Sequence, residues 1–214
     1  MKIIYDDKDI VVCIKPYGVI SQNNDKGTDM IKLLTEKLNS PIFPVHRLDK
    51  ETGGLMVYAK NSKAAATLSA DIKEYRLKKE YLALIHNDIS PDSAELCDLL
   101  FHDKVKNKAY VVKRERKGVK KAVLTYDKIS STDSPYGRAS LIRVLLKTGR
   151  THQIRVQFAS RGYTLVGDKR YGAKDNAENL GLWSCCLEFY HPETKEKLKF
   201  EVLPENEGVF NVAN

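Results

Sequence analysis

The chain has 214 residues, 42% hydrophobic and 30% charged, which is enough to bury a sizeable core and excludes both a disordered chain and a multi-module assembly. No apolar run approaches the ~20 residues that cross a bilayer. Lys plus Arg exceed Asp plus Glu by 36 − 28 = 8, and residues 104–121 hold nine basic residues against one acid, Glu115, so this one segment carries the whole excess.

The N-terminus turns acidic at Asp6 and Asp7 without the apolar stretch of a secretory signal, and export is not expected. Cys13, Cys97, Cys185 and Cys186 contain no C-x-x-C pair, so neither a disulfide framework nor a zinc site is indicated, and reduced thiols in the cytoplasm are the expectation.

In chain order, residues 2–5 and 10–14 are β-branched runs that predict a hairpin, and Lys15-Pro16-Tyr17-Gly18 ends its second strand. Within 28–38, Met30, Leu33, Leu34 and Leu38 recur at helical spacing. Residues 43–49 read as a strand end running into a polar turn, which Gly53-Gly54 keeps from becoming a helix, and 55–59 returns to a strand. Asn61 or Ser62 can cap a helix through Ile72. Strands are expected at 81–85, 94–100, 109–112, 122–129, 139–146, 182–189 and 197–202, with a third helix over 151–160. So many strands with so few crossover helices predict an α+β domain, a large, mainly antiparallel mixed sheet flanked by a few helices. With no linker or repeat in view, residues 1–214 are expected to form a single domain. The basic segment lies between two of these strands, with Lys117-Gly118 available as a turn, so a basic hairpin projecting from the sheet is expected. Such a local basic feature suits phosphate-backbone contact, and a solvated hairpin with exposed lysines fits the same pattern.

Two clusters carry chemistry. In His46-Arg47-Leu48-Asp49-Lys50-Glu51-Thr52-Gly53-Gly54-Leu55, a carboxylate sits among cations just ahead of paired glycines. Cationic neighbours favour an ionised carboxylate, suited to a nucleophile or an electrostatic stabiliser; the same residues also fit an Asp that closes a turn on backbone N–H groups. In Lys147-Thr148-Gly149-Arg150-Thr151-His152-Gln153-Ile154-Arg155, a helix over 151–160 would put Thr151 and Arg155 one turn apart and make its N-terminus an anion site, although solvated cations on a surface helix are equally consistent. No dinucleotide, P-loop or zinc-protease motif is present, and His86, His102 and His191 are scattered, so neither cofactor nor metal is implied.

Taken together, Lys15-Pro16-x-Gly18, His46-Arg47-Leu48-Asp49-x-x-Thr52-x-Gly54-Leu55, Lys79-Glu80-Tyr81-Leu82-Ala83, Thr148 through Arg155, Gly167-Asp168-x-x-Tyr171-Gly172 and Leu187-x-Phe189-x-His191-Pro192 form an ordered series across nearly the whole chain. This series resembles the RluA family of RNA pseudouridine synthases. The resemblance implies a pseudouridine synthase catalytic fold and isomerisation of specific uridines in structured RNA, ribosomal or transfer, without cofactor, by a monomer. It implies that Asp49 is the catalytic aspartate, that Tyr81 packs on the uracil and is a candidate proton acceptor, and that Arg155 pairs with the catalytic carboxylate. It further implies that Arg47 enters the RNA stack as the target nucleotide is flipped out. His46, Arg150 and His152, with Lys113, Arg114, Arg116 and Lys117 of the basic segment, are the expected RNA contacts. Attack of Asp49 on C1′, attack on the uracil ring and a glycal route all remain open. Two other functions fit the same fold: a catalytically inactive RNA-binding paralogue, for which loss of Asp49, Tyr81 or Arg155 would be the mark, and a base-excision enzyme that releases uracil.

Three departures from the family pattern bear on the site. Gly53 stands where the family usually has Ser, with a mild effect expected, and Leu182-Trp183-Ser184 stands where many members have Leu-His-Ala. The motif series also begins at Lys15, so an S4-like RNA-binding domain is not expected, and RNA affinity is assigned to the catalytic domain and its basic segment.

Overall fold

The computed structural model describes residues 1–22, 28–204 and 208–212. Its elements in chain order are β1 Lys2–Asp6, β2 Ile10–Lys15, α1 Met30–Leu38, β3 Phe43–Pro44, β4 Gly53–Ala59, α2 Ser62–Lys73, β5 Lys78–His86, β6 Ser93–Asp103, β7 Lys108–Val112, β8 Val119–Ser134, β9 Gly137–Leu146, α3 Gln153–Ala159, β10 Leu182–Tyr190 and β11 Lys197–Glu201. Short 3-10 turns lie at Lys169–Tyr171 and Gly208–Val212. This is the expected α+β class, with mainly antiparallel pairing and one parallel pair among those described below. Among the described residues no helix is long and apolar enough to cross a membrane. The chain divides into two compact units, Met1–Lys79 with Trp183–Leu203, and Glu80–Leu182 with Pro204–Asn214.

In the first unit, β1 and β2 form the expected hairpin and β2 pairs antiparallel with β4. One edge of β4 is shared. β10 runs parallel to it at Gly53 and Gly54, and β3 runs antiparallel to it at Tyr58 and Ala59; beyond Ser184, β10 pairs antiparallel with β11. Asp29 caps α1 by accepting Lys32 N–H at 2.9 Å, and Asn61 caps α2 by accepting Ala64 N–H at 2.8 Å, each satisfying a donor the helix cannot. Leu68 and Ala64 of α2 are buried against Ile10, Val12, Leu55, Val57, Leu187 and Phe189, and a Leu buried in this way contributes about 2 kcal/mol.

In the second unit the strand order is β5-β9-β8-β6-β7. β6 is the common neighbour of β7 and β8 and is antiparallel to both, which corrects the expected basic hairpin. β7 and β8 cannot close a hairpin on each other because β6 lies between them. Residues 104–107 instead turn β6 into β7, while 113–118 connect β7 to β8 at the opposite end of the same edge strand, with Gly118 at φ +87°. Lys104 and Lys106 on one side and Lys113, Arg114, Arg116 and Lys117 on the other therefore flank a five-residue edge strand that begins at Lys108, about 16 Å long at 3.3 Å per residue. α3 packs Val156 over Leu100, Ala109 and Ala122. It begins later than expected, at Gln153, because His152 takes a left-handed conformation, φ 54°, that stops the helix there.

Candidate active site

Burial alternates across residues 46–49: His46 and Leu48 are buried, Arg47 is exposed and Asp49 is half-buried. The turn after Asp49 closes through its carbonyl, which accepts Thr52 N–H at 3.0 Å, while Gly18 N–H donates to the Lys50 carbonyl at 2.9 Å. Ser21 Oγ donates to the Leu48 carbonyl at 2.9 Å. Lys15, fully buried at the end of β2, holds the same turn, its ammonium donating to the carbonyls of Pro16, Val19 and Lys50 at 2.9, 2.7 and 3.2 Å. Burial lowers the Lys15 pKa to about 8, against the opposing pull of Asp49 and Glu51. Its signal in the sequence is a lone Lys ending an apolar strand just ahead of Pro16.

Gly53 and Gly54 continue this turn into β4, beside Trp183 and Ser184 of β10. A Cβ at Gly54 would meet the Ser184 carbonyl oxygen at 2.3 Å, and its φ is +113°, so only glycine fits. At Gly53 the obstacle is a side chain. A Cβ there would lie 2.7 Å from Trp183 Cζ3 and 3.1 Å from Tyr17 Cε2. Gly53 and Trp183, two of the departures from the family pattern, are thus in contact, and the ring takes the space that a side chain at position 53 would need. The indole is buried, 5.9 Å from the Tyr17 ring, and its Nε1–H donates to the Val202 carbonyl at 2.9 Å.

His46 does not suit the RNA contact expected of it. It is 7% exposed, its Nε2 accepts Val57 N–H at 3.1 Å, and burial, with Lys79 nearby, lowers its pKa to about 3. A neutral imidazole locked inward ties the segment that leads into the Asp49 turn to β4 and offers phosphate no charge. Arg47 is exposed.

The second unit contains the other expected residues. Tyr81 is 5% exposed on β5. Arg155, in the first turn of α3, is 3% exposed, and Asp168 grips it with both oxygens, Nε to Oδ2 at 2.7 Å and Nη2 to Oδ1 at 2.8 Å. Such a planar two-point fork fixes both position and orientation. Thr151 lies outside the helix, which starts at Gln153, so it and Arg155 do not share a helical face as expected. Asp168 is the site residue for which the sequence offers a motif but no role.

His152 is also interior, 6% exposed, with Nδ1 3.0 Å from Tyr171 Oη, so little of it is open to the RNA contact expected of it. Arg150 is half-buried, and its Nε donates to the Lys121 carbonyl at 3.0 Å. Lys113, Arg114, Arg116 and Lys117 are all exposed, with the Arg116 guanidinium 4.8 Å from the Phe101 ring centroid.

One group in the first unit, Asp7, Asp9 and His191, has metal-like spacing. His191 Nδ1 accepts the N–H groups of Glu193 and Thr194, so the neutral ring carries its proton on Nε2 and donates to Asp7 Oδ2 at 2.9 Å. The trio is built as a hydrogen-bonded clasp from the first hairpin to the β10–β11 turn, with no imidazole lone pair left for a metal.

The model of the RNA pseudouridylate synthase family matches residues 9–160, well over half of the chain. The chain belongs to the RNA pseudouridylate synthase family. A tRNA pseudouridine synthase C of Haemophilus ducreyi is 28% identical over 224 residues, covering 95% of this chain and 90% of that protein. A ribosomal large subunit pseudouridine synthase C of Buchnera aphidicola is 30% identical over 209 residues, covering 92% of this chain and 65% of its own length. The fold matches human RNA pseudouridylate synthase domain containing 1 with a TM-score of 0.81 at 23% identity, over 95% of this chain and 85% of that one. The RluA-type resemblance read from the motifs is thereby established, and with it the RNA pseudouridine synthase class of the enzyme.

Proposed function

We propose that this pseudouridine synthase acts on specific uridines of structured ribosomal or transfer RNA, with Asp49 as the catalytic carboxylate, Tyr81 against the uracil and Arg155 as the balancing cation. One observation carries the reading. Asp49 stays half-exposed on a turn whose backbone is clamped by Lys15, Gly18 and Ser21, so the carboxylate is presented without freedom to wander, as catalysis by preorganisation requires. Exposed Arg47, two residues earlier, is available to fill the RNA stack once the target nucleotide has left it. Substrate affinity in this reading comes from phosphate contacts of the basic residues at the two ends of β7. The tRNA and ribosomal names of the two relatives supply the two substrate classes. Work in the cytoplasm is part of the same reading.

The test is to incubate the protein with uridine-labelled ribosomal and transfer RNA and analyse the nucleosides. Pseudouridine of unchanged mass is the expected product. Released uracil would mean excision, and unchanged RNA that is nonetheless bound would mean an inactive binder.

A further inference from the structure

Tyr171 closes the 3-10 turn after Asp168, and the proposed function gives it no task. Within the second unit it touches three elements. Its hydroxyl accepts Ala109 N–H at 2.8 Å and donates to the Ala109 carbonyl at 3.3 Å, with His152 Nδ1 3.0 Å away. A phenol has one proton to give and two lone pairs, so Nδ1–H of His152 and N–H of Ala109 as donors satisfy every group at once. Its ring lies 5.4 Å from the Arg155 guanidinium carbon and 5.1 Å from Lys108 Nζ, both within cation–π range. Its own N–H reaches Asp168, which in turn forks Arg155. Asp168, Arg155 and Tyr171 thus form a closed ring of interactions in which none can move alone.

β7 is the edge strand, and an edge strand carries backbone groups that the sheet does not pair. The Tyr171 hydroxyl takes both such groups of Ala109. The strand so fastened has Lys104 and Lys106 at one end and Lys113, Arg114, Arg116 and Lys117 at the other.

We infer that Tyr171 is a positioning residue that fastens Arg155 to the RNA-gripping edge strand, so that seating RNA along β7 sets the guanidinium for the reaction. This rests on the proposed function for the RNA-facing role of β7 and the catalytic role of Arg155. The geometry of the fastening is independent of it. An error of about 1 Å in a catalytic group costs up to ~100-fold in rate, so a small slip of β7 is enough to matter.

Tyr171→Phe keeps the ring over Arg155 and deletes the bonds to Ala109 and His152. Its single-turnover rate on saturating RNA should fall about tenfold, while RNA affinity stays within about twofold because phosphate contacts set it. Tyr171→Leu removes the ring as well and should fall further. The second readout is the Arg155 Nε–H signal in NMR spectra. It should shift when RNA binds the wild-type protein and stay still when RNA binds Tyr171→Phe. An unchanged turnover rate in Tyr171→Phe, a loss that saturating RNA restores, or an Arg155 signal that responds to RNA equally in both proteins would overturn the inference. If the wild-type protein makes no pseudouridine while the Arg155 signal behaves as expected, the proposed function fails and the fastening stands.

Discussion

Trp183 occupies the space that any side chain at position 53 would need, its Cζ3 lying 2.7 Å from where a Cβ would sit. Gly53→Ala should therefore overpack the floor of the catalytic turn and cost about 1–3 kcal/mol. Trp183→Leu alone leaves a cavity and is itself destabilising. In the double variant the clash is gone, so its loss should be smaller than the sum of the two by at least ~1 kcal/mol in urea unfolding. Strict additivity would show that the ring and position 53 do not compete. Gly54→Ala meets backbone instead, and no change at Trp183 should rescue it.

Asp49→Asn should abolish pseudouridine formation and leave RNA binding within about tenfold, because binding rests on phosphate contacts. Activity above a few per cent in purified Asn protein would remove Asp49 from the chemistry.

Arg155→Lys retains a charge and loses the fork on Asp168. Breaking a buried pair outright costs about 3–5 kcal/mol, and Lys should recover part of that, so a clear drop in Tm is expected together with a loss of turnover. Thermal melts and single-turnover rates on the same protein check both. Normal turnover would mean that charge alone suffices there.

Replacing Lys113, Arg114, Arg116 and Lys117 with Ser should weaken binding of target and non-target RNA alike. Every phosphate that goes unneutralised flattens the log–log salt slope by roughly 0.7 to 0.9, so four give a change of at most about 3.6. Arg116 is engaged with Phe101, and a smaller change is expected if it stays there. An unchanged slope would make this end of β7 a solvated surface.

Burial holds the His46 pKa near 3, with Lys79 adding to the effect, against an ordinary 6.5. Between these values the unfolded chain binds a proton that the folded chain refuses, so stability rises with pH across this window and is lost as pH falls from 6.5 toward 3. The slope reaches about 1.4 kcal/mol per pH unit for one group. Gln at position 46 keeps an acceptor for Val57 N–H and does not titrate. Urea midpoints measured from pH 7 to 4 should fall less steeply for His46→Gln than for the wild type, and parallel curves would refute the assignment.

What the sequence discloses is local. The Asn61 cap, the apolar face of α2 and the β1–β2 hairpin are written in neighbouring residues, and the structure returns them within a residue or two. The start of α3 is not legible because nothing in the side chain of His152 announces a left-handed backbone. The basic segment misleads because β6, the strand that divides it, lies upstream and pairs on both sides. At the site, the order of the motifs locates the Asp49 turn, yet the inward lock of His46 and the Asp168 grip on Arg155 depend on what surrounds them in space. Gly53 and Trp183 are the plainest case, since no local pattern connects residues so far apart.

That separation also sets an order in time. Gly53 and Gly54 gain their β10 neighbours only through Trp183 and Ser184, which leave the ribosome 130 residues later. At 5–20 residues per second this is a wait on the order of ten seconds, during which the Asp49 turn has its Lys15 clamp but lacks its Trp183 floor. Synthesis therefore finishes the catalytic turn long after its motif has emerged, and a chain stalled or truncated before β10 would carry every residue of the Asp49 motif without the strand that supports it.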